Sequence, residues 1–235
     1  MEVALLLKLM KLEMRKFRIS SYIYAALLAT AVIFILMCTF SLNAEMREVF
    51  PIMNYENLFT ILDVLVRGTY IVFAAVLLAR IVIEEYRSKS INVLFMYPIN
   101  RKKLIAAKLL VIIVFVFLAY ILTNLAVGIS IYILNQFISI IPEPLTLSMV
   151  FKTLTKIVMS ALATSFLSLI PLYVGMRKHS VSATIVSSFL VAAIVCQTVE
   201  GFNLFSIVAV PVSMALLGAA VAYFSIRNVE RDDVL

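Results

Sequence analysis

Charge is what this 235-residue chain has little of: Asp, Glu, Lys and Arg make up 14% of it and hydrophobic residues 64%, whereas an ordinary soluble domain is about half apolar. That balance excludes a water-soluble globular protein. Cysteine is scarce too, and Cys38 and Cys196 each sit inside an apolar run without Cys-x-x-Cys spacing, which argues against a disulfide framework or a thiolate metal site. The single histidine, His179, stands beside Arg177 and Lys178 with no second imidazole anywhere in the chain. A metal centre and a His-dependent intramembrane enzyme are both disfavoured. The five glycines, at 68, 128, 175, 201 and 218, form no Gly-x-x-x-x-Gly-Lys-Ser/Thr run, so the chain cannot hold ATP phosphates by the P-loop mechanism. No catalytic residue, metal or cofactor is assigned to it.

What is present in abundance is the long apolar run. A helix rises about 1.5 Å per residue and the hydrocarbon core is roughly 30 Å thick, so about twenty apolar residues mark one crossing. Six windows qualify: Ser21–Phe40, Phe59–Ile83, Leu104–Leu134, Phe151–Gly175, Val181–Val199 and Phe202–Ile226. They are continuously apolar rather than alternating, which means helices and not a barrel. The expected fold is therefore all-α, a polytopic membrane protein with six transmembrane helices over residues 21–226. Pro171 and Pro211 are expected to kink the fourth and sixth.

The net charge of +7 reports topology, not nucleic acid. Sixteen of the twenty basic residues lie in 1–20, 80–108, 177–178 and 227–231, against Arg47, Arg67, Lys152 and Lys156 on the other side. By the positive-inside rule both termini and the loop 84–103 face the cytoplasm of a cell-membrane protein. The outer segments are too short to bury a core of their own. In residues 1–20, Lys8, Lys11, Arg15 and Arg18 recur at helical spacing with Leu5, Leu6, Leu9 and Leu12 between them. This is an amphipathic helix for the lipid interface, either a plain anchor or a brace for its neighbours. Residues 227–235 form a cytoplasmic tail.

Between the second and third windows runs Glu84-Glu85-Tyr86-Arg87, then Ile91-Asn92-Val93-Leu94-Phe95-Met96-Tyr97-Pro98, then Arg101-Lys102-Lys103. Ile91, Leu94 and Phe95 fall at i, i+3 and i+4 and give one apolar face to a short helix, which Pro98 ends. A joining loop needs neither an apolar face nor a proline stop. The order Glu84-Glu85-Tyr86-Arg87-x-x-Ser90-Ile91-x-x-Leu94-x-x-x-Pro98-Ile99-x-Arg101-x-x-Leu104-x-x-x-Lys108 resembles the membrane (permease) subunit of type-2 ATP-binding-cassette exporters.

That resemblance implies an interfacial N-terminal helix, six spans and a cytoplasmic coupling helix between the second and third. It implies that Ile91, Leu94 and Phe95 are knobs seated in a partner ATPase, with Glu84, Glu85, Arg87, Pro98 and Arg101 as the polar and turn elements beside them. It implies a cytoplasmic ATP-binding subunit in two copies carrying ATP and Mg, and a second copy of this chain or a sister permease. The cargo class implied is an amphipathic peptide, bacteriocin or drug. The family's route runs between its second and fifth spans, which would make Tyr70 and Phe73 one wall and Thr184, Ser187, Ser188 and Gln197 the other. Small residues at such spacing, like Ser160, Thr164 and Ser168 or Ala215, Gly218, Ala219 and Ala222, are first of all helix-packing surfaces. Asp63 and Arg67, an i, i+4 pair, read as a locally neutralising ion pair. Two other readings stay open at this level: a secondary transporter without an ATPase, and a non-transporting membrane anchor or sensor for a cytosolic partner.

Overall fold

A computed structural model describes residues 19–43, 54–87, 101–138, 141, 146–178, 180–199, 202–203 and 209–232. Residues 1–18 of the expected interfacial helix (1–20), and the knobs Ile91, Leu94 and Phe95 of the coupling helix with its stop at Pro98, lie outside the described residues. The elements in order are α1 (Ile19–Leu42), α2 (Tyr55–Leu78) continuing through a π turn (Ala79–Ile83) into α3 (Glu84–Arg87), α4 (Arg101–Ile138), α5 (Leu147–Leu167), α6 (Ile170–Lys178), α7 (Val181–Val195), the strand pair β1 (Thr198–Val199) and β2 (Phe202–Asn203), and α8 (Ala209–Asp232). The fold class is helical as the composition requires. The one departure among the described residues is the short antiparallel pairing of Thr198 with Asn203 and Val199 with Phe202.

Four helical stretches are long and apolar enough to cross a bilayer: Ser20–Leu42, Tyr55–Ile83, Leu104–Ile138 and Leu147–Lys178. The fifth and sixth windows are shorter helices than expected, Val181–Val195 and Val210–Ser225 in their apolar parts. At 15 residues α7 is about 22 Å long, short of the roughly 30 Å hydrocarbon core. Its C-terminus falls at Val195 because the chain turns at Cys196 and enters the strand pair. In the other direction, α4 is 38 residues long, about 57 Å, and projects well past a bilayer. The last helix runs to Asp232, into the stretch expected as a tail.

The two prolines behave differently. Pro171 follows the turn at Ser168–Leu169 that separates α5 from α6, where Leu169 N–H donates to Phe166 O at 3.1 Å and Leu172 N–H to Leu169 O at 3.0 Å; the missing proline N–H has broken the ladder there. Pro211, by contrast, is the third residue of α8. A proline in the first turn costs no hydrogen bond and kinks nothing, so the expected mid-span kink at Pro211 is absent.

Helix α4 packs between α2 and α5, α7 lies on α2, and α8 lies on α5. The larger core cluster runs the length of α2 and α4, from Leu58, Leu62 and Val66 through Tyr70 and Ala74 to Ile83 and Ile105, and a smaller one joins Ile71, Ala163, Leu167 and Val195 where α2, α5 and α7 meet. Close approach is set by small residues. A Cβ on Gly218 of α8 would fall 2.2 Å from the Phe166 carbonyl oxygen on α5, and one on Gly175 of α6 would fall 2.1 Å from Thr184 Oγ1 on α7. At Gly218 the two helices meet backbone to backbone, the geometry that small residues permit in lipid, whereas at Gly175 the helix packs onto side chains of its neighbours. Helix α1 leans on α4 and α2 and turns Tyr24, Leu28 and Ile35 outward, each more than 60% exposed.

Candidate functional site

The root of the 84–103 segment is built by two helix ends. Along α2, Ile81, Val82 and Ile83 are buried, and the π turn brings Glu85 inward while Glu84 stays exposed. Seven residues into α4, Lys108 is also inside, at 2% exposure. Its ammonium forms an ion pair with the Glu85 carboxylate and donates to the Ile81 carbonyl at 3.4 Å. A lysine among Leu104, Ile105, Ala107 and Leu109, all buried, would be costly alone, and the carboxylate across the loop neutralises it. Ile81 lies in the π turn, and its carbonyl is the second acceptor of Lys108. The two helix ends that flank residues 88–100 are thus tied together by a buried pair.

Of the residues expected to dock an ATPase, Glu84 is exposed at this root and Glu85 is turned into the protein. Arg87 ends α3 and Arg101 begins α4. Ile91, Leu94, Phe95 and Pro98 lie outside the described residues. The partner of Glu85 was detectable in principle: a charge at position 108, inside an apolar window, needs an opposite charge within reach.

A second polar centre sits near the other end of α2. Asp63 and Arg67 form the expected i, i+4 ion pair, but its reach is not local. Tyr120 Oη on α4 donates to Asp63 Oδ1 at 2.5 Å and Ser160 Oγ on α5 donates to Asp63 Oδ2 at 3.4 Å. Arg67, fully buried, donates through Nη1 to the Val195 carbonyl at 3.4 Å. Val195 is the last residue of α7, so the guanidinium satisfies a carbonyl that the helix end leaves open and complements its dipole. One ion pair thereby joins α2, α4, α5 and α7. A third polar contact chain ties α1 to the same core: Tyr70 Oη lies 2.7 Å from Thr123 Oγ1, which lies 2.9 Å from Thr30 Oγ1.

The residues expected along a substrate route divide by accessibility. Tyr70 is fully buried, tilted against Tyr120 with ring centroids 6.2 Å apart. Phe73 is half-buried and stacks on Phe115 at 6.0 Å. On α7, Thr184 and Ser188 are fully buried, Ser187 is half-buried and Gln197, just past the helix, is exposed. Their hydroxyls are satisfied within α7 and its cap: Thr184 Oγ1 donates to Ser180 O at 3.0 Å, Ser187 Oγ to Thr184 O at 2.8 Å and Ser188 Oγ to Ile185 O at 2.6 Å.

Among the described residues no group of three or more His, Cys, Asp or Glu is placed to hold a metal.

Comparison with known proteins gives the chain its context. The model of a family described as "ABC-2 family transporter protein" matches residues 9–194. A protein of Bacillus subtilis (strain 168) named "Uncharacterized protein YcbO" is 35% identical over 227 residues, covering 97% of this chain and 100% of that protein. No solved structure matches significantly.

Proposed function

The chain belongs to the ABC-2 family of transporter proteins, and from that membership we propose that it is the permease subunit of an ATP-driven exporter. Membership makes it a multi-pass membrane component of an ABC transporter, working with a cytoplasmic ATP-binding subunit. The proposal adds direction, cargo and geometry: outward movement of an amphipathic peptide, bacteriocin or drug by alternating access, through six helices with both termini in the cytoplasm. Two ATP-binding subunits carry the ATP and Mg, and a second copy of this chain or a sister permease completes the pathway.

The observation that carries the proposal is the family match, which spans the 84–103 segment. The buried Glu85–Lys108 pair supports a force-bearing role for that segment, because it fixes both roots of the segment to α2 and α4. Ile91, Leu94 and Phe95 seat in the ATPase, while Glu84, Arg87 and Arg101 orient it. An amphipathic cargo fits the interior: Asp63, Arg67, Glu85 and Lys108 are all engaged in ion pairs. Phe73, Ser187 and Gln197 are the accessible members of the proposed route, while Tyr70 and Phe73 also pack onto Tyr120 and Phe115 of α4 and Thr184 and Ser188 are closed in on α7. Co-purification with a co-expressed ATP-binding subunit tests the docking. The wild-type chain retains that subunit through gel filtration and Leu94→Arg releases it; equal retention by both contradicts the assignment.

A further inference from the structure

Two cavities meet at one end of the helical bundle, and their linings are chemically opposite. Between α2 and α5 lies a small cleft of about 90 Å³ whose walls include Glu56, Asp63, Lys152 and Lys156. Beside it, between α4 and α5, lies a cavity of about 370 Å³ lined almost entirely by apolar side chains, Leu125, Ile129 and Leu154 among them. Phe59, Thr153 and Ile157 belong to both linings, so the two lie side by side, a charged head next to an apolar body.

The charged end has a net basic demand. Asp63 is already engaged by Arg67 and Tyr120, which leaves Glu56 as the carboxylate facing two lysines. Lys152 and Lys156 reach it at 3.2 and 3.4 Å. They are one helical turn apart on α5, and the side chains in these contacts are 39–64% exposed. Exposed pairs of this kind are weak and exchange readily for another anion. The apolar end is large by the same standard: an apolar cavity of about 150 Å³ is enough to bind benzene. It opens outward between α4 and α5, where Ile129 is 58% and Leu147 76% exposed, on faces that a membrane helix presents to lipid.

We propose that this bipartite site binds an anionic phospholipid of the surrounding bilayer, with the phosphate-bearing head group on Lys152 and Lys156 and one acyl chain in the cavity between α4 and α5. A soluble anion would have no use for the apolar cavity, and a neutral lipid none for two lysines at its mouth. A bilayer lipid can enter sideways. The inference rests on the membrane location of the chain and not on export, cargo or orientation, since both leaflets hold phospholipid.

The test uses the full-length chain purified in a non-ionic detergent and titrated, by native mass spectrometry, with dioctanoyl phosphatidylglycerol and with dioctanoyl phosphatidylcholine. Phosphatidylglycerol binds at least tenfold tighter to the wild-type chain. Lys152→Gln combined with Lys156→Gln weakens it about thirtyfold, a factor of roughly five for each basic contact at a lipid surface. Glu56→Gln strengthens it, because both lysines lose their internal partner. Ile129→Trp fills the apolar cavity and weakens both lipids, whereas Leu118→Trp, on the outward surface of α4 and away from the cavity, changes neither. Thermal unfolding of each variant confirms that it is folded. Equal binding of the two lipids by the wild-type chain, an unaltered preference in the double lysine variant, or unaltered binding in Ile129→Trp would each overturn the proposal. Retention of the ATP-binding subunit, scored in the same preparations, keeps the lipid site and the permease assignment separately refutable.

Discussion

Replacing Lys108 by Met removes one half of the pair that anchors the 84–103 segment and leaves the Glu85 carboxylate among Ile81, Val82 and Ile83. The Lys108 and Glu85 side chains are 2% and 10% exposed, so water cannot make good the loss. Breaking such a buried pair from one side costs about 3–5 kcal/mol, about a hundredfold or more in the unfolding equilibrium. Glu85→Met has a similar cost for the opposite reason, a buried ammonium that loses its neutralising carboxylate and keeps uncharged acceptors such as the Ile81 carbonyl. The double variant Glu85→Met with Lys108→Met replaces the pair by side chains of comparable volume, and such replacements are often neutral. The two single losses therefore fail to add: two costs of about 3–5 kcal/mol each and a near-neutral double variant give a coupling energy of about 6–10 kcal/mol in a double-mutant cycle. Denaturant unfolding of the detergent-purified chain, followed by circular dichroism, gives all four corners of the cycle. A cost below about 1 kcal/mol for Lys108→Met, or strictly additive losses, would refute the reasoning and leave the segment without a rigid root.

Further outcomes follow from the packing and the polar contacts. Gly218→Ala drives a methyl group against the Phe166 backbone, which cannot rotate aside; it destabilises by about 1–3 kcal/mol, read in the same unfolding assay, and no side-chain change on α5 rescues it. Gly175→Ala meets the Thr184 hydroxyl and the Ile83 side chain instead, and Thr184→Ala in the same chain recovers part of the loss, since the closest obstruction is a side-chain atom. Tyr120→Phe deletes the donor to Asp63 and costs about 2 kcal/mol, as expected for a hydrogen bond to a charged group. Thr123→Val separates Tyr70 from Thr30 and costs about 1–3 kcal/mol, because Tyr70 Oη is left buried.

Much of this architecture was legible in the sequence. Continuous apolar windows identified the helices, and four of them cross-check in length, because hydrocarbon thickness imposes a minimum that composition reports directly. The errors sit where local chemistry overrides length. Val181–Val199 was too long by the residues that pair as strands, and an apolar run cannot reveal that Val199 meets Phe202. Pro211 was read as a kink because its window was started at Phe202; a helix starting at Ala209 makes the same proline harmless. The Asp63–Arg67 pair was visible from i, i+4 spacing, while its links to Tyr120, Ser160 and the Val195 carbonyl depend on helix packing that no spacing encodes. Lys108 was conspicuous inside an apolar window, yet its partner lies 23 residues away across the 84–103 segment. Thr184 and Ser188 read as a polar stripe of unknown facing, and close packing against Gly175 explains why Thr184 is shut in.

On the proposed function, force from a separate ATPase enters this membrane protein through the segment rooted at Glu85 and Lys108. Vanadate-sensitive ATP hydrolysis by the chain and its ATP-binding subunit, reconstituted together in liposomes, tests it most directly. Leu94→Arg is expected to lower hydrolysis to the level of the ATP-binding subunit alone while the membrane chain stays folded. Hydrolysis in Leu94→Arg equal to that of the wild-type complex would contradict it.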